Sequence, residues 1–427
     1  MSNRIIASLD IGSNFVRSII CERNEDGVLQ IIGTGIKPST GLRKGVVVNI
    51  EATLRAVSAA IEDAEIMSGL EVSDCWTGIG GNHINGFNSR GVVGVSGKRR
   101  DASEREIGQE DIDRVIEAAK AVVIPTDRQI LEVIPQSYKV DDQKGIRNPL
   151  DMIGVRLECD VHIITCAVTG AQNLVKCVNR AGFRVNELIL QTLAAGKAVL
   201  TQDEMELGVV LIDLGGGTTD VLVYSEGTPY STYTIPAGGT QVTSDISIIK
   251  SISQENAEKI KIDAGCCWEA MLGNSAYDEE SVVVPGVGGR PPMQIPHSHL
   301  LTIIKPRMEE IFMMVKQHID SLNLTRPLGG GVVLIGGGAN LNGVVELANH
   351  VLKLPARIGT PIPIEGLGGL VEEYRSPDYA AAVGLILEGE KRTGKAALER
   401  GFDSRQGDKK NINIIGRLKS WLREEFS

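Results

Sequence analysis

The stretch that decides the fold is GVVLIDLGGGTTDVLVYSEG, residues 208–227. An apolar run meets an acid at Asp213, breaks into three glycines and becomes apolar again after a second acid, Asp220. Because glycine has no Cβ, such a turn lets the backbone approach a phosphate closely. Rossmann and P-loop sites are disfavoured, because both open a helix after their glycines, whereas DVLVYS is another β-rich segment. The candidate binding residues of this predicted hairpin are Asp213, Gly215, Gly216, Gly217 and Thr218.

Two further stretches repeat parts of this plan. RIIASLDIGSNFVRSIICE, residues 4–22, is again strand, acid, small-residue turn and strand, with the candidate ligands Asp10, Gly12, Ser13 and Asn14. GVVLIGGGANLNGVVELANHVL, residues 331–352, places Gly336, Gly337 and Gly338 between a strand and an amphipathic helix. Two Asp-Gly hairpins in this order predict two related halves that face one nucleotide. The turn amides would bind its phosphates, and Asp10 and Asp213 would hold Mg²⁺ through water.

The order of these three turns resembles the actin, Hsp70 and sugar-kinase superfamily, which implies an α/β, actin-like, two-lobed fold that binds ATP with Mg²⁺. LILQTLAAGKAVL, residues 188–200, is similar to the first helix that connects the lobes, with Gln191 at the position of a water-orienting residue. SPDYAAAVGLIL, residues 376–387, is similar to the second. In NAEKIKIDAG, Glu258 and Lys261 match the pair that approaches the ribose and adenine in bacterial actins. The alternative for those two is an ordinary i, i+3 surface pair.

Composition limits the class of protein. With 427 residues and 42% hydrophobic content, the chain can fill two or three cores, and its net charge of −10 argues against nonspecific binding to nucleic acid. We find no signal peptide and no run of 18 apolar residues, and therefore expect a cytoplasmic chain that does not span a membrane. The seven cysteines form no C-x-x-C pair and are predicted to be reduced, mostly buried thiols.

The predicted domains follow the pattern of strands and helices. They are a first core at 1–82 and 162–192, an insert at 83–161, a second core at 193–239 and 301–387, a subdomain at 240–300, a flexible linker at 388–410 and an amphipathic helix at 411–427. The strand VHIITCAVT, residues 161–169, is predicted to return the chain to the first core. VPGVGGRPPMQIPHSHL, residues 284–300, is predicted to be a solvated loop in which His297 and His299 hold no metal.

The tail INIIGRLKSWLREEFS, residues 412–427, has the pattern of a membrane-surface helix. At about 100° per residue, one apolar arc contains Ile414, Ile415, Leu418, Trp421, Leu422 and Phe426. From residue 388 onward there are ten Lys or Arg against seven Asp or Glu, which favours attraction to anionic lipids. One such anchor binds weakly, so polymerisation would add avidity. The alternative is a helix that docks on its own domain.

The two lobes, the insert and the tethered helix together resemble the FtsA family of bacterial cell-division proteins. The resemblance implies an ATP-binding assembly protein with at most a slow ATPase activity, located as a peripheral protein on the cytoplasmic face of the inner membrane at the septum. It implies four kinds of partner: other copies in filaments, later divisome proteins at the insert, anionic lipids, and the C-terminal peptide of FtsZ. That peptide would bind a basic site at the start of the helix IIKPRMEEIF, at Arg307 and Glu310.

Three other classes remain open at this point. A sugar or acetate kinase would need a phosphoacceptor site, which we cannot assign, and would leave the tail unexplained. An Hsp70-like chaperone would need a substrate domain after its ATPase. A pilus-assembly actin homologue shares the insert but lacks this tail.

Overall fold

The computed structural model describes residues 4–24, 28–96, 106–272, 281–286, 288, 291–361, 367–369 and 374–403. The chain divides into a large unit, Met1–Leu387, and a small unit, Glu388–Ser427. The strands are β1 (Arg4–Ile11), β2 (Phe15–Arg23), β3 (Leu29–Pro38), β4 (Leu42–Arg43), β5 (Val46–Val47), β6 (Asp74–Ile79), β7 (Asn85–Gly94), β8 (Arg128–Val140), β9 (Gln143–Ile146), β10 (Arg156–Ala167), β11 (Arg184–Leu190), β12 (Val209–Leu214), β13 (Thr219–Ser225), β14 (Thr228–Ile235), β15 (Ser281–Val284), β16 (Met293–Pro296), β17 (Gly331–Ile335), β18 (Ala356–Ile358) and β19 (Leu367–Gly369). The helices are α1 (Ile50–Ser68), α2 (Gln109–Lys120), α3 (Val168–Arg180), α4 (Gln191–Val199), α5 (Gln202–Leu207), α6 (Gly239–Lys250), α7 (Gln254–Ala264), α8 (His297–Ser321), α9 (Val344–Leu352) and α10 (Ala380–Asp403).

The first core is a six-stranded mixed sheet in the order β11-β6-β1-β2-β3-β19. Helix α1 packs closely on it, because a Cβ added at Gly35 would lie 1.9 Å from the carbonyl oxygen of Ala60. The helix begins where the Asn49 side chain accepts a hydrogen bond from the Ala52 amide, and it ends at Gly69 in the left-handed region with φ 69°. These contacts fix β1 and β2, the two strands that flank the first predicted turn.

The insert is a separate antiparallel sheet in the order β7-β10-β8-β9, with α2 packed on one face. The prediction that VHIITCAVT returns to the first core was wrong in part. Strand β10 pairs with β7 and β8 along its length, although its Ile164 and Cys166 pack in the apolar cluster of the first core. The insert therefore extends beyond the predicted boundary at residue 161. A mostly apolar run predicts a buried strand, but its pattern does not say which sheet buries it.

The second core is a five-stranded sheet in the order β14-β13-β12-β17-β18, with α8 and α9 in its apolar cluster. The predicted loop at 284–300 was wrong in part, because β15 and β16 form a hairpin and α8 begins at His297. Buried Leu300, Ile303 and Ile304 have the spacing of one helix face, which favours a helix that already begins before them. All seven cysteines are buried free thiols, as predicted.

Helix α10 shows that the linker prediction was also wrong in part, because residues 388–403 are helical. Low apolar content predicts that a segment is not in a core, whereas Ala, Glu, Lys and Arg still favour helical backbone. Within the small unit, Arg392 pairs with Glu388 one turn earlier, at 3.3 Å. The predicted amphipathic helix at 411–427 lies outside the described residues. In the part of the chain that the structure describes, no helix is both long and apolar enough to cross a membrane.

The insert contacts the second core through a polar interface centred on His162 of β10. Its Nε2 lies 2.9 Å from Oγ1 of Thr232 on β14, and its Nδ1 lies 2.7 Å from Oδ1 of Asn88 on β7. Gln136 also donates from Nε2 to the carbonyl oxygen of Pro229, at 2.9 Å. Burial lowers the pKa of His162 to about 4, so the neutral imidazole joins the insert to the second core.

Two buried histidines, His162 of this interface and His83, make stability depend on pH in mild acid. Burial also lowers the pKa of His83 to about 4. Since an unfolded histidine titrates near 6.5, these two side chains bind more protons in the unfolded chain than in the folded chain between pH 6.5 and 4. Each buried histidine therefore lowers the free energy of unfolding as pH drops through this window, and His162→Gln should remove one such contribution, up to about 1.4 kcal/mol per pH unit. The raised pKa of Asp213, about 8, contributes with the opposite sign in both proteins and cancels in the comparison. Urea unfolding at several pH values measures the slope, and an unchanged slope in the variant would contradict the assignment.

Candidate functional site

A cavity of about 710 Å³ lies where the two cores meet, a size suited to a small-molecule ligand. It is lined by all three predicted glycine turns, by Gln191 and by the Glu258–Lys261 pair. The predicted residues that it brings together are Asp10, Gly12, Ser13, Asn14, Gln191, Asp213, Gly215, Gly216, Gly217, Thr218, Glu258, Lys261, Gly336, Gly337 and Gly338. Arg307 and Glu310 lie outside it.

The two Asp-Gly turns lie against each other. A Cβ added at Gly216 would be 2.4 Å from Cγ of Asn14, and one at Gly217 would be 2.6 Å from Oγ of Ser13. A side chain at either glycine would therefore have to displace the Asn14 amide or the Ser13 hydroxyl from this contact. Thr240 at the start of α6 adds a hydrogen bond from Oγ1 to Oδ1 of Asn14, at 3.3 Å. The turn backbones of both cores thus face one space.

Carboxylates are concentrated beside these turns. Across the second hairpin Asp213 stands opposite Asp220, and across the first hairpin Asp10 stands opposite Arg17. Burial, together with the neighbouring charges of Asp220 and Asp10, raises the pKa of Asp213 to about 8, and the charge of Arg17 opposes this shift. Burial also raises the pKa of Asp10, against the influence of Arg17 and of a hydrogen bond from Gln191. A cation bound here would favour the ionised carboxylates.

Gln191 is the first residue of α4 and is oriented by Asp10. Its Nε2 donates to Oδ1 of Asp10 at 2.5 Å, and a Cβ added at Gly80 would lie 2.2 Å from its Oε1. The amide group is therefore held at the cavity wall with a defined orientation. As a neutral amide it can accept a hydrogen bond from water, but it is not a strong base.

The third glycine turn follows β17 and contacts the second core's hairpin. Gly336 has φ 80°, and a Cβ there would lie 2.2 Å from Oδ1 of Asp213. Its amide donates to the carbonyl oxygen of Pro377 at 2.9 Å, which joins this turn to the segment before α10. Glycine is required by both the backbone angle and the closeness of the carboxylate.

Glu258 and Lys261 form an i, i+3 pair on α7, but they are not an isolated surface pair. Lys261 Nζ lies 2.8 Å from Oε2 of Glu258, and it donates to Oγ1 of Thr243 at 3.0 Å and to the carbonyl oxygen of Gly239 at 3.2 Å. Only 13% of the Lys261 side chain is exposed. The pair therefore fixes α7 to the start of α6 and lines the cavity.

Several lining residues were missed by the sequence predictions. Gly238 precedes α6 and Gly239 begins it, and the amides of Gly239 and Thr240 donate to the carbonyl oxygens of Gly215 and Gly216 at 2.9 and 2.8 Å. The Gly-Gly pair before an amphipathic helix was the available signal. Arg17 and Asp378 also line the cavity. Arg17 is detectable once the β1–β2 register is known, whereas nothing local marks Asp378.

The predicted partner residues occupy a different setting from the one expected. Arg307 lies in the interior of α8, so the predicted basic site at a helix start was wrong. Its Nε and Nη2 donate to the carboxylate of Asp245 on α6, at 2.7 and 3.2 Å, and its Nη1 pairs with Glu310. The hydrogen bond to Asp245 raises the pKa of Arg307. Arg307 thus joins α6 to α8.

Comparison with solved structures defines the class of protein. The fold resembles that of the PilM-PilN type IV pilus biogenesis complex, with a TM-score of 0.63 and 15% identity over 90% of this chain and 98% of the other. It also resembles MreB 5 of Spiroplasma citri bound to AMPPNP, with a TM-score of 0.53 and 15% identity over 93% and 99% of the two chains. The protein has an actin-like fold with a subdomain inserted in the first lobe.

Sequence comparison then gives the family. The family model for cell division protein FtsA matches residues 210–384, and that for the SHS2 domain inserted in FtsA matches residues 81–165. Cell division protein FtsA of Borreliella burgdorferi is 43% identical over the whole of both chains. That of Escherichia coli strain K12 is 38% identical over 99% of this chain and 98% of its own. The chain belongs to the FtsA family of cell-division proteins. This family assignment replaces the kinase, chaperone and pilus-assembly alternatives.

Proposed function

We propose that the cavity binds ATP with Mg²⁺. The observation that carries the proposal is the pair of Asp-Gly turns packed against each other, with Gly216 and Gly217 against the side chains of Asn14 and Ser13. The donor set fits, because backbone amides suit phosphates, and the buried Asp10 and partly buried Asp213 carboxylates suit a hydrated Mg²⁺. Glu258 and Lys261 would face the ribose and adenine. The nucleotide bound to the structurally similar MreB 5 supports this assignment. Titration with a fluorescent ATP analogue tests it.

The chain is proposed to be an assembly protein with at most a slow ATPase activity. Bound Mg²⁺ would neutralise charge on the phosphates, and the protein's own contribution is to hold them and to orient water. Gln191 is held by Asp10 and lacks the basicity to remove a proton. We therefore expect a turnover below about one per second. A phosphate-release assay measures it, and a much faster turnover would favour a phosphotransferase.

The proposed cellular role is to tether FtsZ filaments to the cytoplasmic face of the inner membrane at the septum and to help recruit later divisome proteins. Membership of a cell-division family supports the role. The actin-like body would polymerise, the insert would offer a surface to later divisome proteins, and the amphipathic tail would bind anionic lipids. Because one tail is a weak anchor, a polymer that presents many tails would attach firmly.

The C-terminal peptide of FtsZ is proposed to bind beside α8, at Arg307 and Glu310. The ion pair between Arg307 and Asp245 changes how this should be tested. Arg307→Glu would place a carboxylate against Asp245 and Glu310, so a loss of binding could simply follow from repulsion between α6 and α8. A charge exchange within the pair separates the two effects.

We expect the double variant Asp245→Arg, Arg307→Asp to stay folded and to bind the FtsZ peptide about tenfold more weakly or worse. The exchanged pair can still join α6 to α8, but the positive charge on α8 is lost. Fluorescence anisotropy of a labelled peptide measures binding, and thermal melting reports folding. Wild-type affinity in a folded double variant would place the peptide elsewhere.

A further inference from the structure

Arg17 stands at an asymmetric position in the two related hairpins. In the second hairpin Asp213 stands opposite Asp220, whereas in the first hairpin Asp10 stands opposite Arg17. The Arg17 side chain lines the cavity and is only 11% exposed. One hairpin therefore brings a nearly buried guanidinium to the carboxylate end of the cavity.

The surroundings of Arg17 hold its guanidinium in a fixed place. Nη2 pairs with Oδ2 of Asp378 at 2.6 Å, just before α10. The guanidinium carbon lies 5.4 Å from the ring centroid of Phe15 and 5.2 Å from that of Tyr379. Such stacking and pairing restrict the side chain before any ligand arrives.

One donor of this fixed group has no partner. Within the described parts of the chain, the buried Nε of Arg17 makes no hydrogen bond. This Nε has almost no accessible surface, so an anion in the cavity would be attracted by the charge of the guanidinium that lines it and would not pair with Nε itself. Lys261 also lines the cavity. Its ammonium group already bonds to Glu258, Thr243 and Gly239.

We propose that Arg17 binds the phosphate farthest from the base and that Asp378 is a positioning residue for it, so that the pair makes the site select ATP over ADP. This inference rests on the proposed nucleotide function. Arg17 acts at the end with Asp10 and Asp213, where the metal and the last phosphate would lie. Glu258 and Lys261 form the separate group proposed to face the ribose and adenine. Asp378 touches no ligand and acts through the Nη2 contact alone.

The test compares the affinities of wild type and variants for MgATP and MgADP by calorimetric titration of the full chain. Arg17→Met should weaken ATP binding by about tenfold or more and ADP binding by less than about threefold. Arg17→Lys should restore part of the ATP affinity, because it returns the charge without the planar fork. Arg184→Met, which removes an exposed ion pair with Asp74 in the same core, is the control and should change neither affinity.

The role of Asp378 is tested by a double-variant cycle. Asp378→Asn should lower the ATP-to-ADP affinity ratio in the wild-type background, and it should have no further effect on that ratio in Arg17→Met. If Asp378 has a purely structural role, Asp378→Asn should instead lower the melting temperature and reduce the affinities for MgATP and MgADP equally. That result, or an unchanged ratio in Arg17→Met, would overturn the inference. A wild-type chain that binds neither nucleotide would overturn the proposed function itself.

Discussion

Asp213→Ala should weaken the binding of MgATP by about tenfold or more while leaving the nucleotide-free protein at least as stable as wild type. The affinity falls because one of the two carboxylates proposed to hold the hydrated metal is lost. The fold survives because Asp213 is buried beside Asp10 and Asp220, which together with desolvation raise its pKa to about 8. Removing a carboxylate that is already unfavourable to ionise costs the folded state little.

Two variants make this result specific. Asp213→Asn keeps the size of the side chain and loses the charge, so it should bind MgATP as poorly as the alanine variant. Asp203→Ala removes an exposed carboxylate from the first turn of α5 and should bind like wild type. Fluorescent-ATP titration measures affinity, and thermal melting without nucleotide reports stability. Undiminished binding in both Asp213 variants would refute the metal and phosphate assignment.

Trp421→Glu should abolish membrane attachment and leave the body unchanged. Trp421 lies within the predicted apolar arc, where an indole ring suits the headgroup boundary. A carboxylate in that layer costs a few kcal/mol, comparable to the net affinity of a single amphipathic anchor. Because the tail is proposed to act apart from the body, the melting temperature and ATP affinity should stay at wild-type values.

Ser420→Glu is the matched control, because it adds the same charge one residue earlier on the polar face of the predicted helix. It should retain most liposome binding. If the tail instead docks on its own domain, Trp421→Glu removes a packed aromatic ring and should lower the melting temperature by several degrees. A destabilised variant that still binds liposomes would rule out the anchor.

The sequence was sufficient for the features that have a local physical cause. The Asp-Gly hairpins were recognisable because glycine between apolar strands has few other uses, and their repetition predicted two cores around one cavity. The structure brings every predicted nucleotide residue to that cavity. Each of these residues is marked by its own turn or by spacing on one helix.

Features that depend on tertiary contacts were not predictable in the same way. Strand β10 is as apolar as a strand of the first core, and only its pairing with β7 and β8 assigns it to the insert. The sequence shows that Arg307 is basic, but its ion pair with Asp245 depends on the packing of α6 against α8. Asp378 is distant in sequence from Arg17, so their contact at 2.6 Å could be seen only in three dimensions.

The measurement that tests the central claim most directly is liposome co-sedimentation of labelled FtsZ peptide with the full chain and with a chain that ends at residue 403. Both proteins should bind MgATP with equal affinity, since the cavity lies in the large unit. We expect the full chain to carry the peptide to anionic liposomes when MgATP is present, and the shortened chain to leave it in the supernatant. Equal sedimentation of the peptide with both chains would contradict the account.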